Sequence, residues 1–143
     1  MMPKETCGLF IQQIHNVLEK TANNQLRKKE LTFSQINVLL TLADIPEKKL
    51  SFKELEKSLA LAQSTTAGLI SRLELKHLVS VTGDGNDKRI KYVQITPAGE
   101  SCCKDAETAM LDMEKKLLAS LSESERKEFF FLLKKVKHSF PNM

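Results

Sequence analysis

The chain has 143 residues, of which 28% are charged and 41% hydrophobic, with a formal net charge of +4. That length suits one folded unit with a core large enough to need no disulfide staple, and the composition makes an ordinary globular protein the default over disorder. No apolar run approaches the roughly 20 residues needed to span a bilayer, and the N-terminus lacks the apolar stretch of a secretory leader, which points to the cytoplasm and away from membranes. A sequence pI near 9.0 favours an anionic partner. Cys7, Cys102 and Cys103 are odd in number, include an adjacent pair and form no C-x-x-C, which argues against a disulfide framework, a structural zinc site or any other metal.

In chain order, residues 5–28 carry Phe10, Ile14, Val17, Leu18 and Ala22 at helical spacing. Thr32-Phe33-Ser34-Gln35 is a capping box opening a second helix, in which Thr32 and Gln35 each satisfy a free backbone donor. After the breaker Asp44-Ile45-Pro46, Ser51-Phe52-Lys53-Glu54 is another such box and opens a short helix. A further helix spans about 62–76. Leu69, Ile70 and Leu73 form its apolar stripe, and Gln63, Ser64, Thr65, Gly68, Ser71 and Arg72 lie opposite. Residues 78–81 and 90–95 then read as two short strands flanking a loop. Thr96-Pro97 restarts helix, followed by the stripe Ala106, Ala109, Met110, Met113, Leu117 and Leu118. A last capping box, Ser122 to Glu125, leads into Phe129, Phe130, Leu132, Leu133, Val136 and Phe140.

The loop Gly83-Asp84-Gly85-Asn86-Asp87-Lys88-Arg89 first suggests a calcium or phosphate site. Counted from Asp84, however, the fifth and sixth positions of a calcium loop are Lys88 and Arg89, cations that would repel the ion. A phosphate cradle needs a helix after the glycines, and here a strand follows. A tight or bulged turn fits, with Gly85 and Asn86 tolerating positive φ and Asp87 bonding the turn backbone or holding the Arg89 guanidinium. Lys88 and Arg89 are then presented at the tip.

Two short helices followed by a hairpin with a basic tip are the plan of a winged helix-turn-helix, in a chain that is mainly α with a small β-hairpin. The second of those helices would enter the major groove of double-stranded DNA. Gln63, Ser64 and Thr65 suit base edges and phosphates, Gly68 admits close approach, Ser71 and Arg72 extend the face, and the hairpin reaches the minor groove.

The segments LTFSQINVLLTL (31–42), SFKELEKSLALAQSTTAGLISRLELKHLVSV (51–81) and GDGNDKRIKYVQITPAGE (83–100) resemble the MarR family of bacterial transcription regulators. Asp87-Lys88-Arg89 resembles the family's D-x-R wing tip, and Ile95 to Gly99 its helix restart. The resemblance implies a homodimer in which residues 1–30 and 97–143 supply dimerisation helices around a DNA-binding lobe at 31–96. It also implies a pseudo-palindromic operator, a repressor role, and release by a small phenolic or aromatic effector, which His15 on the first helix is placed to contact. There are departures: His77 stands where the family commonly has a glycine cap, Ala62 where a capping residue is frequent, and Ser80 where a basic residue is common.

Two alternatives remain. Cys7, at the start of the first helix, is where some relatives carry a redox-sensing thiol. A winged-helix interaction module that has lost DNA binding is the other. Three scattered histidines and no nucleophile elbow, H-E-x-x-H or nucleotide loop argue against an enzyme, and no cofactor is implied.

Overall fold

The computed structural model describes residues 5–87 and 89–140. Its elements are α1 (Cys7–Leu26), a 3-10 turn (Arg27–Lys29), α2 (Phe33–Ala43), β1 (Lys49–Ser51), α3 (Phe52–Leu59), α4 (Gln63–Leu75), β2 (Val79–Gly83), β3 (Lys91–Ile95), α5 (Pro97–Leu118) and α6 (Glu123–His138). Among the described residues no helix is long and apolar enough to cross a membrane.

Local chemistry sets the helix starts. All three capping boxes form: Thr32 with Gln35, Ser51 with Glu54 and Ser122 with Glu125, each side chain accepting the other residue's amide. The start of α2 also receives help from another element, because Asn23 Oδ1 on α1 accepts the Phe33 N–H at 2.7 Å. That bond ties the first helix to the lobe that follows it.

The sheet is larger than the expected hairpin. It has three antiparallel strands in the order β1-β3-β2, with Leu50 opposite Val93 on one side and Val81 opposite Val93 on the other. β1 is three residues long, too short to leave a two-residue alternation in the sequence. The core lies beneath the sheet and between the helices, built from Ile36, Leu39, Leu42, Leu55, Ile70, Leu73, Val79, Val93 and Ala106. Each fully buried large aliphatic side chain contributes roughly 1.5–3 kcal/mol relative to exposure. α5 packs against α1 and α2, whereas no residue of α6 is buried.

The end of α4 decides where the hairpin sits. His77 adopts left-handed backbone with φ 60°. Its N–H donates to the Glu74 carbonyl and that of Leu78 to the Leu73 carbonyl, both at 3.0 Å, the paired bonds that close a helix around a left-handed residue. Ala60 closes α3 in the same manner at φ 53°. Across the joint, the Thr96 hydroxyl donates to the His77 carbonyl at 2.8 Å and accepts the Gly99 N–H at 3.1 Å. Gly99 is required by space: a Cβ there would overlap the Leu78 carbonyl oxygen and sit 2.7 Å from Ile95 Cγ1.

Gly99→Ala is therefore expected to destabilise the fold by about 1–3 kcal/mol in urea denaturation, as overpacking does. Left-handed backbone costs a non-glycine residue roughly 1–2 kcal/mol, part of it offset by the freer unfolded state of glycine. His77→Gly should accordingly raise the urea midpoint, by a net change on the order of 1 kcal/mol.

Candidate nucleic-acid interface

α4 divides cleanly into two faces. Thr66, Leu69, Ile70 and Leu73 are buried, while Gln63, Ser64, Thr65, Ser71 and Arg72 are exposed and Gly68 is half-buried. Thr66 belongs to the core because its hydroxyl turns back to the Ala62 carbonyl at 3.0 Å, so no polar atom is left wanting. A Cβ at Gly68 would meet nothing within 4 Å, so the glycine leaves the outer face low and open. Arg72 forms no ion pair with any described residue.

The start of α4 differs from those of the other helices. Thr6, Thr32, Ser51, Thr96 and Ser122 each cap a helix through a side-chain oxygen, but Ala62 offers none. The first-turn N–H groups of α4 thus lack a side-chain acceptor, beside the Ser64 and Thr65 hydroxyls.

The loop between β2 and β3 is shaped by its aspartates. Asp84 Oδ1 accepts the Asn86 N–H at 2.8 Å and Asp87 Oδ1 accepts the Arg89 N–H at 2.9 Å. The Asp84 N–H donates to the Ile90 carbonyl at 2.9 Å and closes the loop. This corrects the expectation for Gly85 and Asn86: neither has positive φ, and a Cβ on Gly85 would meet open space. Side-chain oxygens make the turn without left-handed backbone. Lys88 lies outside the described residues.

Asp87 also holds Arg89, with Nε at 3.2 Å from Oδ1 and Nη2 at 3.3 Å from Oδ2, although the guanidinium is 91% exposed. The Arg89 side chain, and then its backbone N–H, lower the Asp87 pKa below the ordinary 3.8. A carboxyl lowered by the fold supports the turn above the ordinary range, and that support is lost as pH falls through the lowered value. In a carbon-detected NMR titration, the Asp87 midpoint should lie below 3.8, and Arg89→Ala should move it back toward 3.8.

A polar cleft of about 480 Å³ separates α1 from α4, bordered by Glu19, Asn23, Ser64, Thr65, Gly68 and Arg72. His15 does not border it. Its Nε2 lies 3.1 Å from Glu19 Oε2, and both side chains are well exposed, so His15 reaches the cleft only through Glu19. The role of Asn23 left no mark in the sequence: a cap supplied from ten residues away has no spacing rule.

Cys7 is exposed, Cys102 half-buried and Cys103 buried. Burial, then the neighbouring Cys102, Asp44 and Glu100, push Cys103 up to about 11, and burial also raises Cys102, so both remain thiols at neutral pH. Among the described residues no group of three His, Cys, Asp or Glu side chains is placed to hold a metal ion.

Known proteins share this architecture. The MarR family model matches residues 29–90. The HTH-type transcriptional regulator YwoH of Bacillus subtilis is 32% identical over 124 residues, covering 87% of this chain and 88% of its own. S. aureus MepR in complex with DNA superposes with a TM-score of 0.85 at 24% identity, covering 95% of this chain and 99% of that one. BpsR of Bordetella bronchiseptica, whose DNA binding is regulated by 6-hydroxynicotinic acid, gives 0.84 at 24% identity, covering 95% and 96%. The chain belongs to the MarR family of winged helix-turn-helix transcriptional regulators.

Proposed function

We propose that the protein binds a pseudo-palindromic operator in double-stranded DNA as a homodimer, represses transcription there, and is released by a small aromatic acid. The observation that carries this reading is the outer face of α4. It is polar, uncapped at its start and free of internal ion pairs, on a helix whose other face is locked into the core. Gln63, Ser64 and Thr65 read base edges in the major groove, with Ser71 and Arg72 following the backbone. Arg89, already oriented by Asp87, enters the neighbouring minor groove.

The dimer reading rests on surface that a single chain leaves uncovered. Phe10, Ile14 and Val17 on α1, and Phe130, Phe131, Val136 and Phe140 at the C-terminus, are all exposed. The chain has 10643 Å² of accessible surface, where a compact monomer of this size has roughly 7,500 Å². The excess suits the interface of an obligate dimer. In this reading residues 1–30 and 97–143 join the protomers, and residues 31–96 of each take one half-site about 10 bp from the other.

The cleft beside Arg72 is the place for an effector carboxylate, since it joins the reading helix to α1 and contains an unpaired cation. BpsR, with its 6-hydroxynicotinic acid, supports that chemistry by analogy. A coupling of about 1–3 kcal/mol between the two ligands suffices for release.

Arg89→Ala is expected to weaken binding to a selected operator duplex by about 1–3 kcal/mol, measured by fluorescence anisotropy, while light scattering still reports a dimer. Unchanged affinity would remove the wing from the interface, and a monomeric wild-type protein would sink the dimer.

A further inference from the structure

We infer that a second DNA-contacting surface lies between the wing and the start of α3, a cleft that holds one phosphodiester strand beside the groove probed by Arg89. This rests on the DNA-binding reading above and adds residues that reading does not use. The cleft measures about 520 Å³. Phe52, Ile90 and Tyr92 contribute its apolar wall, with Lys53 from α3, and Arg89 and Lys91 from the hairpin, as its cations.

Two carboxylates also border the cleft, and both are occupied. Glu54 accepts the Ser51 N–H at 3.0 Å as part of its capping box, and Asp87 grips Arg89. Lys53 and Lys91 form no ion pair with any described residue, so their charge is available to an incoming anion. Lys49 adds a further cation beside this wall, its Nζ standing 5.5 Å from the Tyr92 ring centroid.

The chemistry matches a nucleic-acid strand better than a compact anion. Deoxyribose presents apolar edges that pack on Phe52, Ile90 and Tyr92, while successive phosphates meet separate ammonium groups on two elements. Arg89 belongs both to this cleft and to the wing tip, so the surface continues the proposed interface. α3 is the first helix of the helix-turn-helix, the one that crosses the DNA backbone when the second lies in the groove.

The test measures binding of the full-length protein to a mixed-sequence duplex of about 30 bp across a sodium chloride series, for wild type, Lys53→Gln, Lys91→Gln and the double variant. Each phosphate contact contributes about 0.9 to the slope of log K against log salt. Each single variant should lower the slope by about one and the double by about two, with affinity falling equally on unrelated sequences. Lys104→Gln, on α5 and outside the cleft, should leave the slope unchanged. Circular dichroism checks that the variants fold. A double variant with the wild-type slope would overturn the cleft while leaving the DNA reading intact. Wild-type protein that binds duplex without salt dependence, or not at all, would overturn both.

Discussion

The structure hinges on one hydroxyl. Thr96 Oγ1 donates to the carbonyl of left-handed His77 and accepts the amide of Gly99, so it bonds the exit of α4 and the entrance of α5 at once. The Thr96 N–H meets the Leu78 carbonyl at 3.1 Å, and Gly99 leaves that same carbonyl the space it needs. α4, β2 and α5 therefore share one joint. Lys76 reinforces it from the α4 side by reaching the Glu30 carbonyl and Gln35 Oε1, which brings the turn after α1 into the same network.

This joint connects the outer helices to the end of α4 through named contacts. Asn23 on α1 caps α2, Lys29 pairs with Asp105 on α5 at 3.2 Å, and Lys48 pairs with Glu100 near the restart. These contacts join α1 to α2, the turn after α1 to α5, and the approach to β1 to the start of α5, beside Thr96 and the last turn of α4. The surface ion pairs are individually weak, on the order of 0–1 kcal/mol. The half-buried Asn23 bond, at 2.7 Å, and the space-limited Gly99 are the closer connections.

Much of this was legible in the sequence because it is local. Capping boxes are set by residues three apart, and the two faces of α4 follow from helical periodicity, so both could be read before any fold was known. The His77 cap was legible too, as the place where a glycine was wanting. What escaped reading was tertiary. β1 has no pattern of its own and exists because β3 offers it an edge. Asn23 caps a helix it does not belong to. Gly85 and Asn86 looked like sources of positive φ, but Asp84 joins the expected Asp87 in shaping the turn through its carboxylate. His15 sits on α1 as expected, and its ring meets Glu19 four residues on, a pairing that helical spacing allows.

The grip of Asp87 on Arg89 has a consequence for how the wing meets its partner. The pair is formally neutral, so Arg89 adds little to the long-range field that steers a protein toward a polyanion. What it supplies is a guanidinium already fixed in direction, with less rotamer freedom left to surrender at contact. In the proposed complex, approach falls to Lys53, Lys91 and Arg72, which form no ion pair with any described residue. In that proposal Arg89 acts late, as a gauge of groove width once the two surfaces touch.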